Sequence, residues 1–333
     1  MESLVIDSLL SNIAHPPILF FFLGIFAVLM KSDLEIPPSI GKFFSIYLLF
    51  DIGLKGGEEL FHSGFSIVVV KVMLICMALS FSVPWLLFKI LRLKLDIPNS
   101  GAIAATYGSI SAVTFATAVS FLSSEGISFG GYMVAGMALM ESPAIVAGLL
   151  LIAINSKTAS SDETGKKKIV WKKVLHEAFF NGSVLLLIGS LIIGYAGGQQ
   201  GEEELAPFVN GIFVGMLSLY MLDMGLTAGS RLGALKESGV FLVSFALIYP
   251  IFGGALGIAC AALIGLGVGD ALLLAILAGS ASYIAVPAAM RISVPKANMS
   301  LLLPMALGIT FTFNVTVGIP LFYAVIQNLW GVS

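Results

Sequence analysis

A seven-residue motif occurs twice in this chain, each time inside a stretch too apolar to face water. Asp51-Ile52-Gly53-Leu54-Lys55-Gly56-Gly57 recurs 172 residues later as Asp223-Met224-Gly225-Leu226-Thr227-Ala228-Gly229. Gly108-Ser109-Ile110-Ser111 recurs 171 residues later as Gly279-Ser280-Ala281-Ser282. Two motifs at nearly one offset, about half of the 333 residues, point to an internal duplication. Duplicated apolar halves mark secondary transporters, whose substrate site lies where the repeats meet.

Composition fixes the solvent. Hydrophobic residues make up 58% of the chain and charged residues 11%, against about 25% charged in a soluble domain. The chain therefore reads as an all-α integral membrane protein. A spanning helix needs roughly 20 apolar residues, and ten spans are expected: 13–30, 38–54, 64–91, 100–122, 130–155, 177–197, 206–228, 237–265, 269–290 and 299–328. With ten spans, all but Lys55 and Lys71 of the 17 basic residues fall in loops on one face. The positive-inside rule makes that face cytoplasmic and both termini extracytoplasmic, as in a plasma (inner) membrane protein. Residues 1–156 and 177–333 then each hold five spans, in opposite orientations: a 5+5 inverted repeat. The polar segment 157–176, rich in lysine, is a cytoplasmic linker able to lie on anionic lipid. A net charge of −2 excludes nucleic-acid binding. With no cluster of His, Asp or Cys near one interface, a membrane-embedded enzyme is not expected.

Spans 4 and 9 carry the repeated Gly-Ser motif at mid-membrane depth, and Pro287 removes a backbone donor in span 9. Paired Gly/Pro interruptions predict broken helices at the repeat interface. Their freed N–H groups and half-helix ends attract a small anion. The expected anion contacts are Gly108, Ser109, Ser111, Thr114, Gly279, Ser280 and Ser282. Glu141, in the middle of span 5 and followed by Ser142-Pro143, is a functional candidate by its depth. With Asn314, Thr310 and Thr312 of span 10 it offers hard oxygen ligands for Na+. Asp51 and Asp223, with Gly53 and Gly225, are expected at Gly-rich turns near the ends of spans 2 and 7. These residues suggest a Na+-coupled carrier of a small anion. A Na+- or H+-coupled small-carboxylate carrier, a channel and a transport-inactive anion sensor are the alternatives.

The run Gly279-Ser280-Ala281-Ser282-Tyr283-Ile284-Ala285-Val286-Pro287-Ala288-Ala289-Met290-Arg291, with Phe313-Asn314-Val315-Thr316-Val317-Gly318-Ile319-Pro320, resembles the SbtA-type sodium-dependent bicarbonate transporter family. Glu141-Ser142-Pro143 and the Asp51 and Asp223 motifs fit the same pattern. The resemblance implies bicarbonate as the anion and Na+ as the coupling ion. It also implies a gate domain from spans 1, 2, 6 and 7 and a core from spans 3–5 and 8–10, which moves in an elevator-like step. A homotrimer and a PII-like cytoplasmic regulator are further implications. The family's span 4 is richer in small hydroxyl residues, where Ala112-Val113 here separates Ser111 from Thr114, and it usually has Asp at the Glu141 position.

Overall fold

The structure, a computed structural model, describes residues 12–64, 66–158 and 182–331. The expected linker, 157–176, falls almost wholly outside the described residues. Among the described residues the fold is all-α. Its helices are α1 (Pro16–Leu29), α2 (Pro38–Ser63), α3 (Ile67–Leu91), α4 (Ile97–Gly108), α5 (Ala112–Ser124), α6 (Tyr132–Thr158), α7 (Gly182–Val209), α8 (Phe213–Ile264), α9 (Val268–Gly279), α10 (Ala285–Ser293), α11 (Met299–Leu303) and α12 (Ile319–Trp330). Two π-helical stretches, Pro304–Phe311 and Asn314–Gly318, join α11 to α12.

Local chemistry sets many of these boundaries. Asp96 caps α4 by accepting from Asn99 N–H (3.0 Å), and Asn298 caps α11 by accepting from Ser300 N–H (3.0 Å). Proline stands in the first turn of α1, α2, α4 and α12, where its missing N–H donor costs no helical bond. The 52 residues of α8 would run about 78 Å at 1.5 Å per residue, far beyond a bilayer core of roughly 30 Å. Gly239, at φ 73° and ψ 160°, divides α8 into two lengths. Gly198, at φ 50°, bends α7 in the same way, so that α7 continues to Val209 and the next helix starts at Phe213 instead of near residue 206.

Six helical stretches among the described residues are long and apolar enough to cross a membrane: Ile67–Leu91, Ile97–Ser124, Tyr132–Ser156, Gly182–Val209, Gly239–Ile264 and Met299–Trp330. Pro16–Leu29 and Val268–Gly279 are apolar but shorter. Large apolar side chains such as Phe26, Leu74, Ile193 and Leu263 are exposed on the outside of the bundle, as lipid contact requires. The stretch Ile97–Ser124 is different: its apolar window is 94% buried, against 28% for Gly182–Val209. That enclosure lets its backbone break inside a membrane, because irregular backbone at depth is tolerated only within protein or along a cavity.

The Asp51 and Asp223 motifs are not turns. Residues 51–57 lie within α2 and residues 223–229 within the first half of α8, all in helical conformation. Their glycines serve helix crossing instead. α2 packs along α7, and the first half of α8 along α1. A Cβ added at Gly53 would fall 2.8 Å from Leu187 O, and one at Gly57 only 2.1 Å from Leu191 O. In the second half of the chain, a Cβ at Gly225 would fall 2.1 Å from Phe21 O. Small residues that let two backbones touch are the usual means of packing helices in lipid. Asp51 is fully buried, with Lys55 Nζ 3.1 Å from its Oδ2, and the Lys55 ammonium sits 4.1 Å from the centre of the Phe213 ring. Gly41 leaves room for Asp223, since a Cβ there would lie 2.5 Å from Asp223 Oδ2.

Candidate functional site

Both repeated Gly-Ser motifs are helix breaks. The α4 helix ends at Gly108 and α5 starts at Ala112; α9 ends at Gly279 and α10 starts at Ala285. The two ends are wedged alike. A Cβ at Gly108 would meet Pro84 Cγ at 2.3 Å and Ser80 O at 3.2 Å, both on α3. One at Gly279 would meet Pro250 O at 2.7 Å and Gly254 N at 3.0 Å, both on the second half of α8.

The breaks bind each other. Ser282 N–H donates to Thr106 O (2.9 Å), and Ser111 N–H donates to the Ser280 hydroxyl (3.1 Å). Tyr249 OH lies 2.5 Å from Tyr107 O and 2.9 Å from Ala278 O, and so takes up carbonyls at both α-helical ends. Asn314, fully buried in the second π-helical stretch, donates from Nδ2 to Gly279 O (3.0 Å). Its Oδ1 has no partner, and Gly318 leaves space there, because a Cβ would come within 2.7 Å of it. π-Helical turns are frequent at functional sites.

A cavity that is partly open to the outside lies against the breaks. Ser111, Ser282, Tyr283 and Glu141 line it, together with Ser45 of α2 and Tyr220 of α8. Ala112, Val113 and Ala285 also line it, so the N-terminal ends of α5 and α10 open onto one space. The Ser111 hydroxyl caps α5 by accepting from Thr114 N–H (3.2 Å), and the Ser282 hydroxyl accepts from Val286 N–H (3.3 Å). Pro287 stands in the first turn of α10, where its missing N–H costs no helical bond. Among the described residues, no Lys or Arg lines the cavity.

The other expected site residues fall into two groups. Ser109 Oγ and Thr114 Oγ1 are buried without a partner, as is Thr106 Oγ1 beside them in sequence. The Thr310 hydroxyl is engaged: it donates to Ala246 O (2.8 Å) and lies 2.8 Å from Tyr107 OH. The Thr312 hydroxyl donates to Leu307 O (3.3 Å) within the π-helical stretch. Of the four oxygen residues expected around Na+, only Glu141 lines the cavity, and only Asn314 presents an orphaned buried oxygen. Such an oxygen suits a hard cation, which binds oxygen ligands by replacing its water shell.

Sequence reasoning did not single out Tyr283, Tyr220 or Ser45. Tyr283 had a signal, since it directly follows Ser282 in the repeated motif. Ser45 and Tyr220 had none, because their place in the cavity depends on how α2 and α8 pack.

No curated protein matches the chain. The family model for the Na+-dependent bicarbonate transporter superfamily matches residues 16–327, which include both breaks, Glu141 and Asn314. This chain belongs to the Na+-dependent bicarbonate transporter superfamily.

Proposed function

We propose that this chain is a sodium-coupled secondary transporter that imports a small anion, bicarbonate, by alternating access. The observation that carries this reading is the single cavity into which two helix N-terminal ends, Ser111, Ser282 and Glu141 all open. The helix ends supply backbone N–H groups and positive potential. The serine hydroxyls supply short donors. Because Glu141 and, among the described residues, no Lys or Arg lines the cavity, a co-bound cation is what holds an anion there in this reading. Glu141, Asn314 Oδ1 and carbonyls at the breaks are its ligands in this reading; Thr310 and Thr312 join only by giving up their present bonds.

The cavity lies between two groups of helices. A gate of α1, α2, α7 and the first half of α8 supplies Ser45, Leu187 and Tyr220; the remaining helices supply the breaks and Glu141. That position favours an elevator step, in which the core carries both ions past the gate. The matched wedging of Gly108 and Gly279 supports the 5+5 repeat with ten spans. Extracytoplasmic termini, a homotrimer and a PII-like partner on the cytoplasmic side belong to the same reading by family resemblance.

The second reading, a small-carboxylate carrier, draws on the apolar part of the lining, Ile110, Val113, Met137 and Ile284. Uptake of radiolabelled bicarbonate and of formate or acetate into proteoliposomes decides between them. Bicarbonate uptake that requires an inward Na+ gradient is the expected result. Uptake of the carboxylates alone selects the second reading, and binding without flux selects a sensor.

A further inference from the structure

Tyr283 stands in the break between α9 and α10, one residue after Ser282. Its side chain is buried, and its ring is held edge-on to Phe311 at 5.6 Å and 74°. Phe311 in turn packs edge-on to Phe21 at 5.5 Å. The ring is thereby fixed, and residue 283 lines the cavity together with Ser111, Ser282 and Glu141. Its hydroxyl is buried and makes no hydrogen bond; the Ser111 side chain is near, but outside hydrogen-bond geometry. Buried hydroxyls nearly always have partners, and one without an acceptor is a cost that a bound acceptor removes.

The repeat sharpens the point. At an offset of 171, Tyr283 corresponds to Ala112, so the two breaks place a tyrosine and an alanine at matched positions in the cavity lining.

We propose that Tyr283 contacts the substrate and sets its selectivity by donating its phenolic O–H to an oxygen of the small oxyanion. This inference rests on the transport reading above. The hydrogen bond is charge-assisted, because the acceptor is anionic. Tyr283→Phe keeps the ring and its packing on Phe311 and removes the hydroxyl alone.

The test uses the full chain in proteoliposomes. Wild type and Tyr283→Phe are compared for bicarbonate KM at saturating Na+ and for half-activating Na+ at saturating bicarbonate, with melting followed in detergent. The expected result is a KM raised about 10-fold or more, half-activating Na+ changed less than about twofold, and melting at or above wild type. A KM within about twofold of wild type overturns the proposal. So does a variant that melts early or fails to fold, because the hydroxyl would then be structural. If wild type itself takes up no bicarbonate, the transport reading has failed and the proposal falls with it; wild-type uptake with an unchanged variant sinks the proposal alone.

Discussion

Alanine at Gly57 or Gly225 should push apart two helices that now touch at the backbone. The added Cβ would sit 2.1 Å from Leu191 O in the first case and 2.1 Å from Phe21 O in the second. A carbon and a carbonyl oxygen rest at roughly 3.3 Å or more, so each helix pair must open by more than about 1 Å. The obstacles are carbonyls fixed in helices, and no rotamer change relieves them. Overpacking of this kind costs about 1–3 kcal/mol. Alanine returns about 1 kcal/mol of helix propensity, which leaves a net loss of up to about 2 kcal/mol at each site. Gly189, in α7, is the control, because a Cβ there meets nothing within 4 Å and keeps the propensity gain. The assay is the fraction of protein eluting as a folded peak after heating in detergent. Gly57→Ala and Gly225→Ala should each lower the midpoint by a few degrees, at about 2–4 °C per kcal/mol. Gly189→Ala should hold or raise it. The two losses should add, since the crossings share no partners. Gly57→Ala and Gly225→Ala melting at or above wild type would refute the crossing geometry and with it the account of the repeated motif.

Other outcomes follow from the site. Glu141→Gln should raise the Na+ concentration for half-maximal uptake at least about 10-fold while leaving the choice among anions unchanged; unaltered Na+ activation removes Glu141 from the cation site. Ser282→Val should abolish uptake in folded protein, because it deletes both a cavity donor and the acceptor for Val286 N–H; normal uptake would mean that the break needs no hydroxyl there. Lys55→Met leaves the fully buried Asp51 carboxylate without its ion partner. That should cost about 3 kcal/mol or more and show as lost folded yield, with Asp51→Asn/Lys55→Met recovering most of it; a stable single variant would mean that Asp51 does not depend on Lys55.

Much of the fold was legible because membrane burial is a sum of local terms. An apolar stretch of helical length declares a span wherever it stands, and Gly-Ser at mid-depth in two matched places declared the breaks at Gly108–Ser111 and Gly279–Ser282. The Gly-rich motifs were misread for an equally local reason. Glycine favours a turn as readily as a close helix crossing, and the two differ only in what lies opposite. Leu191 O and Phe21 O stand opposite Gly57 and Gly225, and neither is near them in sequence. The same limit applies to Thr310. Its oxygen suits Na+ by type, yet whether the hydroxyl is free depends on Ala246 and Tyr107, which packing brings in.

By itself, the amino-acid sequence determined the solvent, the helical class, the duplicated motifs and the position of both breaks, because transfer energies and backbone preferences belong to each residue with its chain neighbours. Only the tertiary structure decided that Ser111, Ser282, Tyr283 and Glu141 face one cavity, that Asn314 holds the end of α9, and that the motif glycines seat one helix on another. Those facts depend on which surfaces meet across tens to hundreds of residues of chain, and no local preference carries that information.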